Sequence, residues 1–172
     1  MAQQQQARDE RGEPVSLGKF DGHEIYPMPM FAKIVTTDVA ATTEWYEKAL
    51  GFVSVFRGPS VGGQPMMVHL RRHKYQDVLL VASPQPGSAA GPGFTLNFSA
   101  EGEVDELAQR ARSVAAVGSS AIEGPVNTPW NTRDLNVTDP AGTRLVFTGR
   151  NPNPDPEQAA RMRAMFEAAR NK

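Results

Sequence analysis

The chain has 172 residues, 40% hydrophobic and 22% charged, which suits one globular domain or one domain of two similar halves. With 18 basic and 19 acidic side chains its net charge is −1, so no global field draws it onto nucleic acid or an anionic membrane. It has no cysteine, which excludes disulfides, thiolate catalysis and cysteine-bound zinc and fits a reducing cytoplasm.

The first fourteen residues, MAQQQQARDERGEP, are glutamine-rich and charged, bury little apolar surface and have no apolar core of the signal-peptide kind. No apolar run approaches the about 20 residues that a membrane span needs. Residues 15–30 set apolar side chains among Gly and Pro, which predicts an irregular packed arm, so that 1–30 forms an N-terminal extension.

Regular structure is expected from Phe31. FAKIVTTDV alternates, with Ala32, Ile34 and Thr36 on one face and Phe31, Lys33 and Val35 on the other, the period of a strand. AATTEWYEKALGF follows with Trp45, Ala49 and Leu50 at helical spacing. Asp38 or a nearby Thr can cap its start, and Gly51 stops it. FVSVFRG, MMVHLRR and DVLLVA then read as three strands, the last continuous enough to be buried. Residues 31–83 therefore form a first βαβββ module, and the Pro/Gly/Ser/Ala stretch 84–92 a linker.

The same order repeats over 93–148. FTLNFS is a strand, and VDELAQRARSVAAVG a helix with Val104, Leu107, Ala111 and Val114 on one face and Gly118 at its end. AIEG is a short strand, and DLNVTD with TRLVF a hairpin turning at Asp139-Pro140-Ala141-Gly142. The halves share element order but not residue identity. In the closing segment 149–172, Asp155 at N-cap, Pro156 at N1 and Gln158 at N3 start a helix with an apolar stripe of Met162, Met165, Phe166 and Ala169. That stripe can pack on its own domain or across a dimer.

The doubled unit with PWNTRDLNVTDPAGTRLVF in its second half, together with the helix ending in Tyr46 and Leu50-Gly51-Phe52, resembles the vicinal oxygen chelate superfamily of glyoxalases, extradiol dioxygenases, fosfomycin-modifying enzymes and bleomycin-resistance proteins. The resemblance spans about residues 31–148. It implies an α+β fold in which two βαβββ modules form a cupped mixed sheet, in a homodimer.

Such enzymes hold a divalent metal on a first-strand His, a fifth-strand His and an eighth-strand carboxylate, often with one more ligand from the fourth strand. Carried over, the first position falls on Phe31 and the eighth-strand position on Val146. The fifth strand offers Gly93 to Asn97, with no histidine, and the fourth Leu79 or Leu80. Phe and Val cannot coordinate a metal. The three histidines, His23, His69 and His73, lie on none of these strands. The departure resembles the bleomycin-resistance branch, whose members lack these ligands and trap a flat drug in a dimer cleft.

The residues expected to line the cleft are Phe31, Lys33, Val35, Phe56, Met67, His69, Thr95, Asn97, Trp130, Arg133, Asn136 and Val146. Trp130 is either a lid or a stacking surface for an aromatic ligand, and its polar loop gives it little core to join. Arg133 either pairs with Asp134 or Asp139 or binds a ligand anion. Leu135 and Val137 should face a helix, and Asp134, Asn136 and Thr138 the cavity. Thr95 and Asn97 should face it too, with Phe94, Leu96 and Phe98 opposite. His69 shares a face with Met67 and Arg71 and is either a general base or a satisfied strand histidine. Met28, Met30, Met66 and Met67 are core filler or ligand contacts, and Phe56 lines the cleft or caps the core.

The reading is a cytoplasmic homodimer that binds a small aromatic natural product or antibiotic by sequestration, without metal or other cofactor. The alternative is a metal-free isomerase, cyclase or hydrolase using His69, Lys33, Arg133 or Asp134.

Overall fold

The computed structural model describes residues 16, 18–20, 22–26, 28, 30–85, 93–100 and 102–170. The expectations for residues 1–14 and for most of the 84–92 linker therefore lie outside the described residues.

In the N-terminal arm, β1 (Gly18–Phe20) and β2 (His23–Ile25) pair antiparallel, with Gly18 opposite Ile25. The sequence suggested only an irregular arm there, because three-residue strands are too short to show a period. β3 (Ala32–Thr36) leads to α1 (Val39–Leu50). Of the two candidate caps, Asp38 is the one used: its side chain accepts the Ala41 N–H at 2.8 Å. Gly51, at φ +73°, ends the helix, and the Phe52 N–H returns to the Tyr46 carbonyl at 3.3 Å.

β4 (Val53–Arg57) is followed by a hairpin of β5 (Ser60–Val61) and β6 (Gln64–Pro65) that the sequence reading missed. Its Gly62-Gly63 turn has both residues at positive φ, as a two-residue hairpin favours. β7 (Met67–Arg71) and β8 (Asp77–Ala82) complete the first half. The second half runs β9 (Leu96–Ser99), α2 (Val104–Ser113), β10 (Ala121–Asn127), β11 (Thr132–Thr138) and β12 (Arg144–Arg150), and α3 (Pro156–Arg170) follows.

α2 stops at Ser113, not at Gly118. Its buried residues are Val104, Leu107, Ala108 and Ala111, and Val114 is already extended. Past Ala111 no side chain of the helix is buried, so nothing holds a further turn. β10 runs on to Asn127 beyond the short AIEG strand, which makes Thr128–Asn131 the tip of a β10–β11 hairpin. At α3, the Asp155 side chain accepts the Glu157 N–H at 2.9 Å, while Met165 and Phe166 remain exposed.

The chain divides into two compact units: Met1–Glu47 with Gly51–Gly87, and Lys48–Leu50 with Ser88–Lys172. The first holds a four-stranded sheet in the order β3-β8-β7-β4, the second one in the order β9-β12-β11-β10. In each, one pair is parallel (β3 with β8, β9 with β12) and the rest antiparallel. The fold is thus α+β, built from two βαβββ modules with mixed sheets.

In the first sheet Ile34, Val68, Leu70, Val78 and Leu80 are buried on one face. Thr36 and Ser54 bond α1 through Thr42 (2.9 Å) and Glu47. Trp45, Tyr46, Ala49 and Leu50 are buried on the helix, and Tyr46 meets Phe52 edge-on at 5.3 Å. In the second sheet Phe98, Leu135, Val137, Leu145 and Phe147 play the same part, with Phe98 and Phe147 stacked at 5.2 Å. Each such side chain removed from water stabilises the fold by about 1.5–3 kcal/mol.

Candidate functional site

Strand period fixes what the opposite faces carry. Register aligns Lys33 with Leu79, Leu79 with His69 and His69 with Phe56, so these four form one row across the first sheet, away from the buried core. The next row outward on β8 and β7 pairs Asp77 with Arg71. A bulge between Ser54 and Phe56 lets Val55 and Phe56 both reach a cavity of about 350 Å³. Its other walls are Glu24, Ile25, Tyr26 and Met28 of the arm, with His69 and Arg71 from β7.

The polar end of this cavity converges on Asp77, whose side chain is 0% exposed. Its Oδ2 accepts the Tyr26 hydroxyl at 2.7 Å, and its Oδ1 lies 2.7 Å from His69 Nε2 and 2.8 Å from Arg71 Nε. Burial pushes this carboxyl up, but donation from His69, Tyr26 and Arg71, with the Arg71 charge, outweighs it and holds Asp77 below the ordinary carboxylate value. Burial drives the Tyr26 phenol well above its ordinary range; the Tyr75 N–H opposes that shift and Asp77 adds to it. An ionised carboxylate only accepts, so His69 carries its proton on Nε2.

The arm is tied to the β7–β8 turn by the same residues. Arg71 Nη1 donates to the Glu24 carbonyl at 2.6 Å, its guanidinium lies 4.1 Å over the Tyr26 ring, and the Tyr75 N–H reaches the Tyr26 hydroxyl at 2.6 Å. Lys74 pairs with the Glu24 carboxylate at 3.5 Å.

The corresponding face of the second sheet carries the row Asn97, Val146, Asn136 and Glu123. It holds a smaller depression of about 130 Å³ whose lining includes Thr95, Glu123, Asn136, Thr138, Arg144 and Val146.

The sequence-predicted residues thus divide between two faces. Phe56 and His69 meet in the first cavity. Lys33 and Val35 of β3, Met67 of β7 and Phe31, just before β3, do not line it. Thr95, Asn136 and Val146 meet in the second depression, with Asn97 in their row. Arg133 takes neither expected partner: Asp105 of α2 holds it at 2.8 and 2.6 Å and Asn127 at 2.8 Å, on the face that carries Leu135 and Val137. That contact lowers the Asp105 carboxyl. Asp134 accepts the Thr132 hydroxyl at 2.9 Å, and Trp130 is 66% exposed at the hairpin tip, where Thr128 Oγ1 accepts its backbone N–H.

Residues 29–147 match the model of the Glyoxalase/Bleomycin resistance protein/Dioxygenase superfamily. The chain belongs to this superfamily. Among solved structures it is similar to a bleomycin resistance determinant encoded on the transposon Tn5, with 21% identity and a TM-score of 0.55 over 70% of this chain and 96% of that one. A bleomycin-binding protein complexed with bleomycin gives 22% and 0.52 over 70% and 97%. The bleomycin-binding protein of Streptomyces verticillus, with copper(II)-bleomycin, gives 18% and 0.52 over 73% and 98%. No curated protein sequence matches.

The ligand positions that the resemblance assigns to the superfamily's metal fall on Phe31 and Val146 in this chain. The side chains of Phe31 and Val146 have no atom that can coordinate a metal. Among the described residues no group of three or more His, Asp or Glu side chains is placed to hold a metal ion. Nor is any described helix long and apolar enough to cross a membrane.

Sequence reasoning missed Asp77, Tyr26 and Arg71 as site residues. Asp77 was legible as a carboxylate opening an otherwise apolar strand. Tyr26 was not, because its partner lies 51 residues away.

Proposed function

We propose that this superfamily member binds a small aromatic molecule, a natural product or antibiotic, in the first-unit cavity. It acts by sequestration, in a resistance or self-protection role, as a cytoplasmic homodimer with no metal or other cofactor. The supporting observation is the cavity of about 350 Å³ walled by Ile25, Tyr26, Met28, Val55 and Phe56, a volume and lining suited to a flat apolar ligand. Its charges are balanced internally, Arg71 by Asp77 and Glu24 by Lys74. Likeness to bleomycin-binding proteins supports the reading at the level of the family. The segments 1–30, 84–92 and 149–172 are extensions and linker around modules 31–83 and 93–148. Exposed Met165 and Phe166 on α3 favour its packing across the dimer.

Titration against a panel of aromatic antibiotics, with mass analysis of each mixture, tests the reading. Saturable binding with unchanged ligand mass is the expected result; no binding by any member overturns it. Light scattering should give twice the chain mass at micromolar concentration, and a single-chain mass removes the dimer.

A metal-free enzyme is the second reading, favoured by the 2.7 Å contact between His69 and Asp77, an arrangement that orients a general base. Of its four candidates, Lys33 lines neither cavity, Arg133 is held by Asp105 and Asp134 by Thr132. His69 alone faces the first-unit cavity. An altered ligand mass would select this reading over sequestration.

A further inference from the structure

We propose that the cavity selects ligands bearing a hydrogen-bond donor, a phenolic hydroxyl above all, and that His69 Nδ1 is the atom that receives it. This rests on the proposed binding role of the cavity and names the chemistry of its occupant.

The inference comes from which polar atoms around the cavity are already committed. The Tyr26 hydroxyl is spent on Asp77, and its oxygen also accepts the Tyr75 N–H. Arg71 gives Nε to Asp77 and Nη1 to the Glu24 carbonyl, and its guanidinium lies on the Tyr26 ring. Asp77 has three donors on its two oxygens and is fully buried. Glu24 pairs with Lys74 at 3.5 Å, with 37% of its side chain exposed.

His69 differs from all of these. With Nε2 donating to Asp77, the neutral imidazole presents Nδ1 as a lone-pair acceptor, and among the described residues no hydrogen bond reaches Nδ1. The side chain is 13% exposed, in a cavity whose other walls are Ile25, Tyr26, Met28, Val55 and Phe56 with the ion-paired Glu24 and Arg71. A buried acceptor left unmatched by an ether or hydrocarbon is penalised, whereas a hydroxyl donor satisfies it. A ring flip would give up the 2.7 Å contact between Nε2 and Asp77, which favours the orientation observed.

The test is a matched series of naphthol, its methyl ether and naphthalene, titrated into the full-length protein by calorimetry. Naphthol should bind about tenfold more tightly than the ether, one well-made hydrogen bond's worth. In His69→Leu, checked for folding by circular dichroism, the preference for naphthol over the ether should vanish, the two binding alike. Isotope-edited NMR of the imidazole nitrogens needs no variant: Nδ1 should be unprotonated in the free protein and shift with naphthol but not with naphthalene. If ether and naphthol bind the wild type equally, or Nδ1 carries the proton, the donor selectivity is wrong while the aromatic cavity stands. If none of the three binds, the cavity reading fails and the selectivity with it.

Discussion

The two sheets share strand order and register yet present different chemistry. Residue for residue, His69 corresponds to Asn136, Leu79 to Val146, Lys33 to Asn97 and Phe56 to Glu123. Each β-hairpin closes on a five-residue turn, RHKYQ in the first and DPAGT in the second. Tyr75 and Gly142 occupy the same place in these turns, at φ +68° and +85°. Glycine takes that conformation freely, but tyrosine is strained there by about 1 kcal/mol. What sustains Tyr75 is the arm, because Tyr26 accepts its N–H and meets its ring edge-on at 4.9 Å. One module has thus recruited the arm to build a largely apolar cavity over a buried charge cluster, while the other keeps a smaller polar depression. The scaffold sets positions, and the arm and the row residues set chemistry.

The largest expected effect falls where the modules differ most. Asp77→Ala strips the acceptor from three donors and should destabilise by about 3–5 kcal/mol in urea unfolding. Its counterpart Arg144→Ala, at an exposed site, should stay within about 0.5 kcal/mol. Equal effects would break the comparison. The same residue governs acid stability. Because folding lowers the Asp77 carboxyl, its contribution is complete above the unfolded value of about 3.9 and is lost as pH falls through the folded value. Wild type should therefore lose stability more steeply below about pH 4 than Asp77→Asn, whose residue 77 cannot titrate.

Tyr26→Phe removes a hydroxyl that donates to a carboxylate and accepts the Tyr75 N–H, and should cost about 1.5–3 kcal/mol. Early amide exchange confined to the arm and the β7–β8 turn would sharpen the assignment; uniform exchange across both modules would contradict it. His69→Leu takes one donor from Asp77 and should cost about 1–3 kcal/mol, against about 0.5 kcal/mol or less for Asn136→Leu.

The smallest effect on stability is expected at exposed Trp130, where Trp130→Phe should stay within about 0.5 kcal/mol. The variant should lose the solvent-exposed emission, leaving that of buried Trp45. Should Trp130→Ala weaken binding of an aromatic ligand about tenfold, the second module joins in recognition. Unchanged affinity would assign the ligand to the first module alone.

The strands and helices were legible because periodicity is local: Ile34 and Thr36 against Lys33 and Val35, or Leu135 and Val137 against Asn136, declare opposite faces within a few residues. The caps at Asp38 and Asp155 and the turn at Asp139 to Gly142 were legible for the same reason. Two short hairpins escaped, since strands of two or three residues carry no period, and α2 was read too long because Val114 and Val117 continue a helical pattern that no core supports. The partner of Arg133 was misjudged because Asp134 and Asp139 are near in sequence while Asp105 is near only in space. Sequence by itself determined the modules, their buried faces and the absence of metal-coordinating side chains at Phe31 and Val146. Tertiary structure decided that Tyr26 of the arm, His69, Arg71 and Asp77 form one cluster, because a carboxylate can leave water only where distant parts of the chain bring it enough donors.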